Sequence, residues 1–193
     1  MKLIAATLAV SIVLLGFTLF PDIHQQSVPS GRTVTSTPAP EIENDAIDMD
    51  GFLLLANQAA THREPRRLTE DEFISMSRQP GTVILDARSR EMFELLHVEG
   101  AINLPFPDID IASLAELLPD KNTRILIYCN NNFENEERAM RSKVAPASLN
   151  LSTYVSLYTY GYRNIYELGP RKDPRESKLP LVGTLPEYRV VAR

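Results

Sequence analysis

One cysteine, no tryptophan, three histidines and a deficit of positive charge are the scarcities of this sequence, and each excludes something. A single cysteine rules out an intramolecular disulfide and a Cys-rich zinc site. Cys129 is therefore an apolar filler, an intermolecular partner or a reactive thiol. No cysteine lies near the N-terminus, so lipid attachment there is excluded. Lysine and arginine number 20 against 25 acids, a formal net charge of −5, which argues against nucleic acid as a partner because phosphate binding needs a basic surface. His97 has no metal partner in view, since His24 and His62 fall in or near a linker, and it reads as structural. Neither a metal nor a cofactor is implied.

The chain of 193 residues, 44% apolar, is long enough for one packed domain with appendages. Leu3 to Phe20 is an uncharged, largely apolar run behind Lys2, the pattern of an export signal or a membrane helix. The run lies between the ~7–15 residues of a signal core and the ~20 of a spanning helix. No small-x-small site follows it, which favours an uncleaved anchor over a cleaved peptide. In either case residues 1–20 direct the remainder to a periplasmic or other extracytoplasmic location, anchored to the inner membrane when the helix is retained. Residues 21–50 are rich in Ser, Thr and Pro, then acidic, and read as a disordered linker.

Residues 51–66 hold an accessory helix, from Phe52 to about Ala60, whose Phe52-Leu53-Leu54-Leu55 run is expected to pack on the main domain. From Leu68 the pattern becomes regular. Thr69-Glu70-Asp71-Glu72 is a capping box opening an amphipathic helix. Residues 82–86, 100–104, 124–128 and 164–168 are short apolar runs of strand type. Between them, residues 89–96, 111–118, 134–144 and 151–160 read as helices, the last ended by Gly161 as a C-cap residue. Strands alternating with helices predict an α/β fold, a central parallel sheet with helices on both faces. In such sheets sites form at the carboxyl ends of strands, where Cys129 falls. Residues 170–193 hold Pro170, Pro174, Pro180 and Pro186 and read as an extended, loosely docked tail.

Three segments then resemble the rhodanese (sulfurtransferase) homology domain over residues 67–169. The first is Val83-Ile84-Leu85-Asp86-Ala87-Arg88 with Phe93 and His97-Val98-Glu99-Gly100-Ala101-Ile102-Asn103-Leu104-Pro105. The second is Ile125-Leu126-Ile127-Tyr128-Cys129, which looks like the strand leading to that family's catalytic cysteine. The third, Gly161 to Gly169, looks like its closing helix-to-strand element. The resemblance implies that Cys129 takes sulfane sulfur from a small anionic donor, holds it as a persulfide and passes it to a nucleophile such as a thiol. It also implies that Asp86 and Arg88 brace the active loop. A loop between a strand end and a helix start would aim the backbone N–H groups of Asn130, Asn131, Asn132, Phe133, Glu134 and Asn135 at the sulfur as a substrate-binding cradle.

This loop departs from the family pattern. It is asparagine-rich and acidic, where a basic residue and small residues are typical, and a nearby carboxylate disfavours a thiolate. Asparagine tolerates left-handed backbone and could stand in for glycine. The stretch from Cys129 to Gly161 also looks long, as if Pro146 to Ser152 were inserted. Cysteine phosphatases place an arginine where Asn135 stands, so phosphatase chemistry is excluded. Two functions follow: an exported sulfurtransferase working through Cys129, or a catalytically weak rhodanese-like module that binds a partner or senses redox state. The sequence names no protein partner.

Overall fold

The computed structural model describes residues 44–188. The expected signal or anchor at residues 1–20 and most of the 21–50 linker lie outside the described residues. Among those described, no helix is long and apolar enough to cross a membrane.

Helix α1 spans Met49–Arg63, three residues earlier than Phe52, because Asp48 caps it by accepting from Gly51 N–H at 2.8 Å. It joins the domain through buried Ala59 and a bidentate ion pair from Arg63 to Glu167, with Nε at 2.6 Å. The expected packing of Phe52, Leu53 and Leu54 is corrected: all three side chains are exposed. Their consecutive placement spreads them around a helix whose buried stripe runs through Ala59. A 3₁₀ turn at Glu64–Arg66 leads into β1, Arg67–Leu68. Helix α2, Glu70–Ser77, carries the expected capping box, with Thr69 and Glu72 bonded reciprocally. There follow β2 (Thr82–Asp86), α3 (Arg90–Leu95), β3 (His97–Val98), β4 (Ile102–Asn103), α4 (Ile111–Leu117), β5 (Arg124–Tyr128), α5 (Leu149–Thr159), β6 (Ile165–Leu168) and β7 (Leu181–Val182).

Five strands form one parallel sheet in the order β1-β6-β5-β2-β4, with β5 at its centre. The two-residue period of β5 divides its side chains between two cores. Ile125 and Ile127 join Leu85, Leu114, Tyr154, Leu157 and Ile165 on one face. Leu126 and Tyr128 join Phe73, Leu96, Phe133, Leu168 and Leu179 on the other. Both faces are therefore covered, as a parallel sheet requires. Helix α5 ends in a Schellman motif: Tyr162 N–H donates to Leu157 C=O and Gly161 N–H to Tyr158 C=O. Gly161 supplies the φ of +93° that this ending needs.

Two expectations are overturned here. Residues 134–144 form no helix. They run as turns and irregular chain whose polar groups find partners elsewhere. The tail, as far as it is described, is not loosely docked. Strand β7 pairs antiparallel with β3, Glu99 N–H donates to Pro180 C=O at 2.7 Å, and Leu179 and Leu185 are buried. Gly183 lies so close to the end of α3 that a Cβ there would stand 2.1 Å from Leu95 O.

Candidate active site

Cys129 follows the last residue of β5 in extended conformation, with φ −147° and ψ −176°. It is free, and 1% of it is exposed. Its backbone N–H donates to Asn132 Oδ1 at 2.9 Å, closing a 3₁₀ turn over Asn130–Asn132. The Asn132 amide is the pivot of the loop. Its Nδ2 donates to Leu168 O at 2.7 Å and Pro170 O at 3.1 Å, and its Oδ1 also accepts from Asn150 Nδ2 at 3.1 Å. One side chain thus ties the ends of β5 and β6 to the first turn of α5.

Three of the six N–H groups expected in the cradle are engaged elsewhere. Asn132 N–H donates to Cys129 O, Phe133 N–H to Asn130 O, and Glu134 N–H to Lys172 O. Phe133 is fully buried in the core, edge-on to Tyr128, and its backbone pairs with Lys172 of the tail. After one 3₁₀ turn the chain leaves extended, so these amides are spent on the turn and on the tail. Asn135 does take the left-handed conformation, at φ 61°, and its Nδ2 donates to Asp173 Oδ2 at 3.0 Å. Two acids of the loop are paired with arginines: Glu134 with Arg171 at 3.5 Å, and Glu136 with Arg138 at 2.9 Å.

Asp86 and Arg88 sit below Cys129, both almost fully buried. Arg88 donates from Nε to both Asp86 oxygens at 3.0 and 3.1 Å, from Nη2 to Asp86 Oδ2 and Leu96 O at 2.6 Å each, and from Nη1 to Ala139 O at 2.9 Å. Tyr128 donates its hydroxyl to Asp86 Oδ2 at 2.5 Å and accepts from Val98 N–H. Burial, reinforced by the Asp86 charge, raises the Tyr128 phenol well above its ordinary range, so it stays a donor. This cluster clamps the residue before Cys129 and the carbonyl of Ala139. His97 stands aside: it stacks on Phe93 at 3.9 Å, with Nδ1 2.7 Å from Phe93 O.

Above Cys129 runs a strap, residues 141–148, exposed up to a half-buried Ser148. Asn131 holds it by a pair of bonds to the Lys143 backbone, at 2.8 and 3.0 Å, and Asn130 Nδ2 donates to Arg141 O. Ser148 Oγ lies 3.4 Å from Cys129 Sγ. On its outer side Ser148 lines a cleft of about 520 Å³, together with Asn132, Lys143, Asn150, Arg67 and Arg171. A second cleft of about 490 Å³ lies across the strap, lined by Arg88, Asn130, Arg138, Arg141 and again Lys143. Ser148 therefore touches the thiol and also lines a cationic cavity.

Sequence reasoning missed Ser148, Asn150, Lys143 and Arg171. The apparent insertion at 146–152 was the one local signal, since extra chain beside a strand-end cysteine must cover something. Among the described residues, no three His, Cys, Asp or Glu side chains are grouped to hold a metal ion.

The family profile of the rhodanese-like domain matches residues 69–168. The thiosulfate sulfurtransferase PspE of Escherichia coli strain K12 is 39% identical over 46 residues, which are 24% of this chain and 43% of that protein. Among solved structures, a rhodanese with anions from E. coli is 24% identical with a TM-score of 0.37, covering 53% of this chain and 99% of its own. A thiosulfate sulfurtransferase from Pseudomonas aeruginosa is 23% identical with a TM-score of 0.41, covering 62% and 20%.

Proposed function

The chain belongs to the rhodanese-like domain family, and from that premise we propose that it transfers sulfane sulfur through a persulfide on Cys129. The observation that carries this reading is the position of the thiol. It stands at the carboxyl end of the central strand, 3.4 Å from Ser148 Oγ on the wall of a cleft that presents Arg67, Lys143 and Arg171. Those cations suit an anionic donor, whose charge the loop acids would otherwise repel.

With thiosulfate as donor the chemistry balances without an added oxidant. The Cys129 thiolate attacks the outer sulfur, the donor S–S bond breaks, and its electron pair leaves with sulfite. A nucleophile then attacks the terminal sulfur of the persulfide, and Cys129 departs as the thiolate. Ser148 can donate to the sulfur at either stage, and the Arg88 cluster holds the strand end still beneath it. Burial of the thiol requires the strap to shift before the donor reaches it.

The test is thiocyanate formation from thiosulfate and cyanide by the wild type and Cys129→Ser, with mass spectrometry of the cysteine. Turnover by the wild type alone and one added sulfur atom on Cys129 are expected. Absence of both turnover and added sulfur would refute the proposal. The second reading is a catalytically weak module that binds a partner or senses redox state, and the closed burial of Cys129 favours its binding form, since redox sensing needs an accessible thiol. Slow thiol alkylation together with absent turnover would select it. The apolar run Leu3–Phe20 behind Lys2 supports an exported, membrane-associated location. Fractionation and the mass of the mature protein test that part separately.

A further inference from the structure

Helix α1 is fixed to the domain along one stripe and presents a second stripe to solvent. The inner stripe runs through buried Ala59, with His62 Nδ1 2.8 Å from Tyr154 Oη and Arg63 paired to Glu167. Met49, Phe52, Leu53, Ala56 and Ala60 recur at helical spacing and line one flank, roughly a quarter turn from that seam. Met49, Phe52 and Leu53 are each more than half exposed, and Ala60 is exposed as well. Single apolar side chains on a surface are ordinary, but a continuous stripe along a helix has the form of a packing face.

The stripe is graded along its length. Its N-terminal half is large, with Met49, Phe52 and Leu53, and its C-terminal half is small, with Ala56 and Ala60. Such a stripe complements itself in one orientation. With two copies antiparallel about a two-fold axis between positions 54 and 55, Met49 of each copy meets Ala60 of the other, and Leu53 meets Ala56. Large side chains then fill the space beside small ones on both sides of the axis. A parallel pair would set Met49 on Met49 and Leu53 on Leu53, and would leave the alanines facing a gap.

Charge selects the same orientation. Asp45, Asp48 and Asp50 mark the start of the helix, whereas His62, Arg63, Arg66 and Arg67 mark its end and the turn beyond, with Glu64 among them. Among the described residues Asp45, Asp50 and Arg66 form no ion pair. Antiparallel docking lays the acidic end of each helix beside the basic end of the other, and parallel docking would set like charges together. Three aspartates interleaved with Ile47, Met49 and Phe52 also make this surface a poor fit to lipid, because inserting it would bury charge.

We infer that α1 is a self-association helix, through which two copies of this chain pair antiparallel along Met49, Phe52, Leu53, Ala56 and Ala60. The inner stripe already holds the helix in place, so pairing orders little further backbone. The pairing does not depend on the sulfur chemistry of Cys129.

The mass of the full-length chain in detergent, measured by light scattering with the bound detergent subtracted, tests the pairing. Twice the 21.7 kDa of one chain is expected at about 50 μM. Leu53→Asp should weaken the dimer at least about tenfold, since it buries an unpaired charge in each copy, whereas Leu54→Asp on the far flank should leave it intact. Both leucines are more than half exposed in the single chain, so neither change disturbs folding. Orientation is read in intact cells with a short bismaleimide, in a Cys129→Ser background. Copies bearing Met49→Cys should be linked to copies bearing Ala60→Cys. Met49→Cys alone should give no link, because its two thiols would lie about 16 Å apart along the axis. A monomeric mass overturns the inference and leaves the face to lipid or to another protein. A dimer untouched by Leu53→Asp, or weakened equally by Leu54→Asp, overturns it as well, and linking of Met49→Cys alone overturns the antiparallel arrangement.

Discussion

Beneath the end of β5, Asp86, Arg88 and Tyr128 form a dry cluster in which every guanidinium nitrogen has a partner. Above it, residues 141–148 form a strap exposed over most of its length and tied by asparagine amides. Both regions touch the segment that carries Cys129, and they hold it by opposite means. The lower one uses charge where water is excluded, so its bonds are strong and costly to break. The upper one uses neutral bonds at the surface, each worth about 0.5–1.5 kcal/mol. The segment that carries the thiol is therefore held strongly on one side and weakly on the other.

Breaking the lower region should have the largest effect. Asp86→Ala leaves the Arg88 guanidinium buried without its counter-charge and removes the acceptor of the Tyr128 hydroxyl. Loss of one partner of a buried pair costs about 3–5 kcal/mol. Urea unfolding should show a drop of that size, with the slope unchanged. A loss below about 1 kcal/mol would mean that water reaches the cluster, and the contrast between the two regions would collapse.

This contrast was only half legible in the sequence. The central strands, the Thr69 capping box and the Gly161 helix ending were legible because each is set by local periodicity or backbone geometry. The position of Cys129 followed from the strand before it. The strap was not legible, since residues 134–144 carry charges at helical spacing, yet Glu134, Asn135 and Glu136 are bound by partners on the chain's distant tail and by Arg138. The docking of the tail was missed for a related reason. Strands β1, β3 and β7 have two residues each, too short for any period, and β7 exists only because β3 offers it an edge. Ser148 and Asn150 are placed by that long-range covering, and the apparent insertion at 146–152 is their one local mark.

Loosening the strap should have a smaller effect on stability and a clear one on access. Asn131 Nδ2 donates to Lys143 O, and Asn131 Oδ1 accepts from Lys143 N–H. Asn131→Ala removes both of these surface bonds from a half-buried position, at a cost of about 1 kcal/mol, or roughly a fivefold shift in the open fraction. Iodoacetamide should label Cys129 about fivefold faster in this variant, with near wild-type unfolding behaviour. Labelling at the wild-type rate would show that the thiol is exposed by another motion and that the strap is not its cover.

The smallest effect sharpens the comparison at the rim of the loop, where charge is used in water. Asp173 accepts from the Arg175 side chain and backbone and from Asn135 Nδ2, and these bonds hold its carboxyl well below the usual carboxylate range, the Arg175 side chain contributing most. A group depressed in the folded state adds stability above its unfolded value, near pH 3.9, and that contribution is lost as pH falls through the lower folded value. Asp173→Asn removes the charge at every pH. Pepsin cleavage between residues 134 and 148 should therefore be about twofold faster in the variant than in the wild type at pH 4.5, a modest ratio because Arg175 lies in water, which screens the pair. Taking the ratio at each pH cancels the protease's own pH dependence. It should approach one towards pH 1.5, where the wild-type carboxylate is protonating too. The buried cluster beneath β5 sets a control, because Asp86→Ala should raise cleavage throughout the chain rather than in this segment alone. A ratio that stays constant with pH would show that Asp173 acts through shape instead of charge, and the rim would then belong with the neutral strap.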